Sequence, residues 1–309
     1  MRYRTTNALG WLLFASLVIA LGAGCGGSKK TSSTTAPATT GGTTTSAVPG
    51  VNSKLASEVP AKDKSKGTLI VAADASYAPN EFIGADGHTV VGMDPDLAKA
   101  LADVMGLKTK VVNATFATII PGLSSGKYDL GMSSFTDTKA RQKVVDFVTY
   151  FSAGTSFYVK TSGGPTINAL ADLCGHKVAV ERGTTQQMDA AAQNTKCRKA
   201  GKPGVTVLVY TDQSAANLAL ASGRAQVGMA DSPVAAYIVK KSNGQFKLSG
   251  KTYGTAPYGI AIPKNNGMAK PILGAVKELI AKGTYKTILT KWGIQSGAIT
   301  NPTINGATS

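Results

Sequence analysis

The stretch YDLGMSSFTDTKAR, residues 128–141, shows a buried strand that leads into a polar turn and a helix start. Its first part, Tyr128 to Met132, is a short apolar run typical of a buried strand. Hydroxyl side chains follow, and Arg141 stands three residues after Thr138, where a helix would begin. Arginine binds a carboxylate through parallel N–H groups of its planar guanidinium. The stretch predicts a pocket floor for a small carboxylate, although on these residues alone a capped helix with a solvated arginine is the simpler interpretation.

Strands and helices alternate on both sides of this stretch. Apolar runs predict strands at 68–74, 109–113, 128–132, 177–181, 205–210, 226–230 and 258–263. Helical spacing and capping residues predict helices at 94–106, 117–125, 214–222, 268–282 and 284–292, with further helix starts at 183–187 and 232–233. In the first of these helices, Asp94 and Pro95 have the pattern of a cap and first turn. Such alternation indicates an α/β fold with mostly parallel strands.

The order of these elements predicts two lobes, one inserted into the other. The first series breaks near 160–165 and returns near 250–257. We therefore assign residues 67–160 and 252–309 to lobe 1 and residues 161–251 to lobe 2, joined by two crossings with a cleft between them. Ligands of α/β sheets bind at the carboxyl ends of strands. The polar residues at those ends are Asp74, Ser133, Glu181 and Asp231.

Residues 183–187, GTTQQ, open a predicted helix in the second series. The first turn of a helix presents unpaired backbone N–H groups that attract a carboxylate, and Thr184 or Thr185 would cap it. Asp231 has the complementary chemistry, since a carboxylate at a strand end accepts from an ammonium group. Each feature alone also fits an ordinary helix cap. Together with Arg141 they predict a site for a zwitterion, built from both lobes.

Over roughly residues 67–295 the chain resembles the family 3 extracellular solute-binding proteins that serve amino-acid importers. The segments that carry the resemblance are VGMDPDLAKALADVMG (91–106), ATFATIIPGLSSGKYDLGMSSFTDTKARQKVVDF (114–147), VAVERGTTQ (178–186) and VGMADSPVAAYIV (227–239). The resemblance implies the type II periplasmic-binding-protein-like fold, with two lobes that close over the ligand.

The resemblance also implies a role for individual residues. Arg141 is expected to clamp the ligand carboxylate, with help from hydroxyls such as Ser134 and Thr136 and from the amide of Thr185. Acids such as Asp231 hold the ammonium group in this family, and an aromatic ring like that of Tyr77 stacks on the ligand. The full predicted ligand-binding set is Asp74, Tyr77, Asn80, Phe116, Ser133, Ser134, Thr136, Arg141, Glu181, Thr185, Gln186 and Asp231.

Two residues depart from the family pattern. Asn80 stands where relatives commonly have an aromatic residue, and Glu181 stands where Lys, Gln or Leu is common. A glutamate that faces the pocket would disfavour acidic ligands and favour a cationic or amide side chain. The alternative is that Glu181 pairs with Arg182 or Lys177 at the rim and has no influence on the ligand. Both interpretations stay open at this point.

The N-terminus has the pattern of a targeting segment. Arg2 and Arg4 precede an apolar run at 8–21, and the following LGAGC ends at Cys25. This resembles a bacterial lipoprotein signal, so residues 1–24 are predicted to be a signal peptide and Cys25 the lipidated residue. The alternative is an ordinary secretory signal with an incidental cysteine.

Residues 25–66 are predicted to be a disordered tether, because the stretch 28–50 is rich in Ser, Thr, Gly, Pro and Ala and cannot bury a core. The remaining cysteines, Cys174 and Cys197, form an even pair in an exported chain. They predict a structural disulfide rather than a metal or catalytic site.

The formal net charge is +16, but the lysines are scattered and the chain has an export signal, so we predict no nucleic-acid partner. The predicted protein is a monomeric receptor, anchored by lipid outside the cytoplasm, that closes over a free amino acid and delivers it to an ABC permease. It would need no cofactor or metal and would not be an enzyme. The alternatives are a dehydratase or peptidoglycan lyase with Glu181 as general acid, or a sensor for a signalling partner. The amino acid and the permease stay open.

Overall fold

Strand-forming and helix-forming segments alternate along residues 50–307, the part of the chain that the computed structural model describes. The helices are α1 Ser53–Glu58, α2 Ala61–Lys66, α3 Met93–Val104, α4 Phe116–Ser124, α5 Thr185–Lys199, α6 Gln213–Ala221, α7 Ser232–Lys241, α8 Ala269–Ala281 and α9 Thr284–Trp292. The strands are β1 Thr68–Ala73, β2 Ser76–Tyr77, β3 Glu81–Ile83, β4 Val90–Val91, β5 Lys108–Asn113, β6 Leu130–Gly131, β7 Val145–Lys160, β8 Lys177–Glu181, β9 Thr206–Tyr210, β10 Val227–Asp231 and β11 Phe246–Pro263.

The main sheet has the strand order β5-β1-β6-β11-β7-β10-β8-β9. On one side β1 is parallel to β5 and β6, and on the other β8 is parallel to β9 and β10. The two central strands, β7 and β11, run antiparallel to each other and extend through both halves. The predicted α/β class with two lobes is confirmed. The antiparallel centre was not predicted, because the length of β7 and β11 was not recognised in the sequence.

Each half of the sheet has its own hydrophobic core. The first core includes Leu69, Leu97, Leu101, Ile272 and Leu289, and a further cluster around Phe135 and Phe147 covers the other face of that half. The second core includes Phe157, Val178, Val180, Val227 and Met229. Because each half buries its own apolar side chains, the halves can move about the strands that join them.

The connection between the halves lies inside the long strands. Residues 155–159 of β7 already pair with β10, and the pairing of β7 with β11 changes register between Ser249 and Tyr253 and again before Ala256. The lobe boundaries at 160/161 and 251/252 stay predictions. The register changes fall in the region where the sequence placed the return crossing.

The prediction of a disordered tether that extends to residue 66 is wrong for its last part. Asn52 caps α1 by accepting from the N–H groups of Lys54 and Leu55, and α2 follows directly. Leu55 and Val59, four residues apart, are buried in the first core. Two apolar residues on one helical face suffice to dock this segment. The predicted signal peptide, Cys25 and tether residues 25–49 lie outside the described residues.

The expectation that Asp94 caps a helix is also wrong. Helix α3 begins at Met93 after Gly92, and the Asp94 side chain turns into the protein, where it is fully buried. Gly92 has φ 139°, and a side-chain carbon there would lie 2.2 Å from the carbonyl oxygen of Asn80. Only glycine therefore fits at the entry to α3, which packs against the turn before β3.

The predicted disulfide is present between Cys174 and Cys197, whose Cα atoms lie 5.7 Å apart. It ties the loop before β8 to the last turn of α5 within the second core. Between residues 50 and 307, none of the helices is long and apolar enough to cross a membrane.

Candidate functional site

A small cavity lies where strand ends from both halves meet. Asp74 follows β1, Ser133 follows β6, and Glu181 and Asp231 are the last residues of β8 and β10. These strand ends place the side chains in one cleft, as expected for an α/β sheet. The lining residues are Asp74, Tyr77, Glu81, Phe116, Ser133, Ser134, Thr136, Arg141, Glu181, Thr184, Thr185, Gln186 and Asp231. All predicted ligand-binding residues except Asn80 line the cavity.

Arg141 forms the cationic end of the cavity. The sequence predicted it in a helix, and it begins a short 3-10 turn in which its N–H donates to the Thr138 hydroxyl. Its guanidinium donates to the carbonyl oxygens of Thr136 (2.8 Å) and Gly183 (3.0 Å), and it lies over the ring of Phe116. Within residues 50–307, no carboxylate lies within ion-pair distance of it.

The guanidinium of Arg141 is charged at neutral pH, although burial lowers its pKa to about 10. Two of its N–H groups are used by the carbonyl oxygens, and arginine has five. The remaining donors and the uncompensated charge fit an anionic group in the cavity.

The first turn of α5 faces the same end. The Thr184 hydroxyl accepts from the N–H of Gln187, so Thr184 rather than Thr185 is the cap. Gly183 N–H donates to the side chain of Gln187, which fixes the turn between β8 and α5. The N–H groups of Thr185 and Gln186 precede the first intrahelical hydrogen bond and suit a carboxylate ligand.

Asp231 is buried between the lobes and already accepts two hydrogen bonds. Gln186 Nε2 and the Tyr258 hydroxyl each donate to its carboxylate at 2.7 Å. Its own N–H donates to the hydroxyl of Tyr77 across the cleft. Burial raises the pKa of Asp231, and the donors lower it again in part. Tyr258 was missed in the sequence because it lies in the middle of β11, where an aromatic residue normally indicates core.

Asp74 and Glu181 form a carboxyl pair across the cleft, which we call the cleft pair. The Asp74 carboxylate accepts from Ser76 Oγ (2.7 Å) and from the N–H of Phe116 (2.8 Å), and it also hydrogen-bonds to Glu181. Burial raises the pKa of both carboxyl groups, and the negative Asp74 raises that of Glu181 further. Two carboxyl groups can share a hydrogen bond only when one carries a proton.

Glu181 is 2% exposed and lines the cavity, and its Oε1 has no hydrogen-bond partner among the described residues. No ion pair joins it to Arg182 or Lys177 in the described part of the chain. Of the two interpretations left open by the sequence, its position favours the one in which Glu181 faces the pocket.

A second carboxyl pair, Glu81 and Asp94, lies beneath the first in lobe 1 and was not predicted; we call it the floor pair. Glu81 accepts from the hydroxyls of Ser133 (3.1 Å) and Ser134 (3.2 Å). Asp94 accepts from the Tyr150 hydroxyl (2.7 Å) and hydrogen-bonds to Glu81. Burial raises the pKa of Glu81 well above its usual range and that of Asp94 to about 6.

The floor pair changes the interpretation of the two serines. Ser134 is in the left-handed region at φ 52°, and its N–H donates to Asp94. Its hydroxyl donates to Glu81 and accepts from Asn80, while the hydroxyl of Ser133 accepts from the N–H of Asp74. Both hydroxyl hydrogens are therefore directed to the floor rather than to the cavity.

Asn80, the remaining predicted ligand-binding residue, lies behind the cavity lining, and its contact with the ligand stays a prediction. Asn80 lies in the turn between β2 and β3, is fully buried, and does not line the cavity. Its Nδ2 donates to the Ser134 hydroxyl, and its carbonyl packs against Gly92. Any influence of Asn80 on the ligand would act through Ser134. Glu81, the next residue, does line the cavity. Its strand β3 has only three residues, too few for an alternating pattern in the sequence to mark it.

Residues 69–295, which include every residue that lines the cavity, match the family model of bacterial extracellular solute-binding proteins, family 3. An arginine-binding protein of Corynebacterium glutamicum is 33% identical over 259 residues, which cover 84% of this chain and 84% of that protein.

Two solved structures are similar over most of the folded part. An ancestral arginine-binding protein bound to arginine has a TM-score of 0.68 and 38% identity, over 73% of this chain and 98% of that chain. An ancestral amino-acid-binding protein, described as a precursor of cyclohexadienyl dehydratase, has a TM-score of 0.67 and 34% identity, over 75% and 97%.

Proposed function

The chain belongs to the bacterial extracellular solute-binding proteins of family 3, and we propose that its cleft binds a free amino acid with a cationic side chain, arginine first. It is an amino-acid-binding receptor of the ABC-transporter class. The observation that carries the choice of ligand is Glu181, which lines the cavity and whose buried Oε1 has no partner among the described residues.

The cationic end of the cavity supports binding of the group common to all amino acids. Arg141 has spare donors and no carboxylate partner in residues 50–307, and the first turn of α5 presents N–H groups beside it. A ligand carboxylate would accept from both, and Asp231 would receive the ligand ammonium group through its remaining acceptor capacity. In this role Gly183 and Thr136 hold the guanidinium in place through their carbonyl oxygens.

The acidic part of the cavity lining supports a cationic side chain. Asp74 and Glu181 face each other there without a basic partner in the described chain, and Asp212 adds a further negative charge nearby. A guanidinium group could donate to both carboxylates in its planar geometry. The similarity to an arginine-binding protein of Corynebacterium glutamicum and to an ancestral arginine-binding protein bound to arginine supports the same ligand.

The cellular role follows the family. Proteins of this family act outside the cytoplasm. We propose that Cys25 carries a lipid anchor and that residues 25–49 form the tether, so that a monomeric receptor delivers its ligand to the ABC permease. The helices α1 and α2 would then be the first folded elements above the tether.

A thermal-shift screen against the common amino acids tests the proposal. The full chain is unfolded in denaturant and refolded, so that any bound ligand is removed. Arginine at a hundred times its dissociation constant should stabilise the fold by about 2.7 kcal/mol. Arg141→Ala should abolish the response, whereas Arg224→Ala, an exposed arginine away from the cavity, should keep it. A melting temperature that no amino acid shifts would contradict amino-acid binding.

The second candidate is an enzyme on the same scaffold. It is favoured by a protonated, buried Glu181 in the cavity and by the similarity to a precursor of a dehydratase. We assign the receptor role because the relatives named above are binding proteins. Incubation with a prephenate-type acid or with peptidoglycan should give no product. Product that disappears in Glu181→Gln would support the enzyme instead.

A further inference from the structure

The cleft pair, Asp74 and Glu181, has one member in each lobe, and burial raises the pKa of both carboxyl groups, which favours a proton on one of them. Asp74 keeps two donors besides Glu181, from Ser76 and the Phe116 N–H, so the shared proton belongs on Glu181. Glu181 lies beside Asp74, and its Oε1 has no hydrogen-bond donor among the described residues. A buried acceptor in this state is costly unless a ligand donates to it.

The groups that face the cleft pair come from several elements, and most of them are acidic. They are Asp212 at the start of α6, Asp231 at the end of β10 and Glu81 in β3, together with the hydroxyl of Tyr77. The cation of the cavity is Arg141, which donates to Thr136 and Gly183 and forms no ion pair with the cleft pair. Two ionised carboxylates that face each other in a buried site, surrounded by further negative charge, repel each other strongly.

We propose that the cleft pair makes ligand choice depend on its proton: a cationic side chain displaces the proton when it binds, whereas a neutral amide side chain leaves it in place. The proposal rests on the proposed function and adds its regulation. A guanidinium brings its own positive charge and donors, so both carboxylates can be ionised in its complex. An amide brings no charge, but a protonated pair can donate to its oxygen and accept from its nitrogen.

The proposal predicts that arginine binding strengthens as the pH rises. Because arginine binding releases a proton, lowering the pH below the range in which the pair ionises weakens binding, by about tenfold per pH unit for one proton. Glutamine should bind with little change over the same range. The ratio of arginine to glutamine affinity should therefore rise with pH.

The floor pair provides the internal control. Burial also raises the pKa of Glu81 and Asp94, but their oxygens accept from Ser133, Ser134 and Tyr150 within lobe 1. With its acceptors filled, this pair has no reason to exchange its proton when a ligand enters. A proton released on arginine binding should therefore come from the cleft pair alone.

Isothermal titration calorimetry of the full chain tests the proposal. Arginine and glutamine are titrated at pH 7 in phosphate and in Tris, buffers with small and large heats of ionisation. For arginine the difference in binding heat between buffers should correspond to release of about one proton, and for glutamine to none. Arginine that binds without release of a proton overturns the inference but leaves the proposed function standing. If neither amino acid binds, both fail.

Variants then locate the proton. Glu181→Gln should bind arginine more weakly and release no proton, while the control Glu278→Gln, a change outside the cavity, should release it as the unmodified chain does. Release that persists in Glu181→Gln overturns the assignment to the cleft pair. If Glu181→Gln fails to fold, the comparison of arginine with glutamine in the unmodified chain decides the proposal.

Discussion

The cleft pair and the floor pair have the same chemistry and different surroundings. Both consist of two buried carboxyl groups whose pKa values are raised, chiefly by burial. In the floor pair both members belong to lobe 1 and hydroxyl and N–H donors meet their oxygens. In the cleft pair the members come from different lobes, and Glu181 keeps one oxygen without a partner among the described residues.

The supply of hydrogen-bond donors distinguishes a structural carboxyl pair from a ligand-binding one better than burial does. Glu81 is as buried as Glu181, and both line the cavity. What differs is whether the protein itself supplies every hydrogen-bond donor. A satisfied pair contributes to the fold, whereas an unsatisfied pair that bridges two lobes becomes favourable only with a ligand between them. The comparison predicts large effects on stability for one pair and on affinity for the other.

The largest expected effect is on stability, from Asp94→Ala in the floor pair. The change leaves Tyr150 and the N–H of Ser134 without their acceptor, and it removes the partner of Glu81. Breaking a buried carboxyl network of this kind should lower the free energy of unfolding by about 3–5 kcal/mol. Urea unfolding of the ligand-free chain measures it.

The matching change in the cleft pair is the control for this prediction. Glu181→Ala removes a carboxyl group that has an unpartnered oxygen, so it should destabilise the ligand-free chain much less than Asp94→Ala. Equal losses of stability would show that the two pairs do not differ in the way described.

The second effect is on affinity, from Glu181→Gln. The amide keeps the size of the side chain but cannot supply a negative charge to a guanidinium. Loss of a buried charge contact typically costs 2–5 kcal/mol, so arginine should bind about a hundredfold more weakly. Glutamine should bind about as before. Calorimetry with Glu278→Gln as a control outside the cavity measures both, and an unchanged affinity for arginine would remove Glu181 from the ligand site.

The third effect is the pH dependence of stability. Burial raises the pKa of Asp94 to about 6 and raises the pKa values of Glu81 and Glu181, so the folded state holds protons that the unfolded chain has lost. This contribution is fully present below about pH 4 and is lost as the pH rises through the folded-state pKa values. Between pH 5 and 8 the ligand-free chain should lose more than about 1.4 kcal/mol, the free energy of one pKa unit.

Carboxylates with lowered pKa values, such as Asp146 and Glu278, do not offset this loss, because they are ionised in both states above pH 5. Arginine should stabilise the chain more at pH 8 than at pH 5, since the ionised cleft pair then has its cation. Melting curves at both values test the sign. Stability that rises steadily from pH 5 to 8 without ligand would contradict the assigned protonation of the pairs.

The smallest expected effect on binding is that of Glu81→Gln. The glutamine can donate to Asp94 in place of the shared proton and still accept from one serine hydroxyl. Arginine affinity should stay within about threefold of the unmodified chain, less than 1 kcal/mol. A loss as large as that of Glu181→Gln would place Glu81 in direct contact with the ligand.

The residues at strand ends could be predicted from the sequence, because the carboxyl ends of parallel strands meet at one edge of a sheet. Asp74, Glu181 and Asp231 were found in this way, and Arg141 by its spacing after a strand. Their roles in binding stay predictions until a ligand is observed.

The remaining differences between the sequence prediction and the structure have physical causes that no local sequence pattern reveals. Glu81 and Asp94 meet through tertiary contacts between β3 and α3, and an acid in a first helical turn has an ordinary explanation as a cap. Asn80 does not line the cavity because its turn directs it to Ser134. Helix α1 was missed because the disorder predicted from the composition of residues 28–50 was extended to residue 66. Leu55, within that extension, belongs to the core.

A crystal structure of the chain with arginine tests the central claim most directly. The account predicts the ligand carboxylate on the guanidinium of Arg141, its ammonium group on Asp231, and its guanidinium within hydrogen-bond distance of Glu181 Oε1 and of Asp74. A bound arginine whose guanidinium lies elsewhere and leaves Glu181 Oε1 without a donor would contradict it.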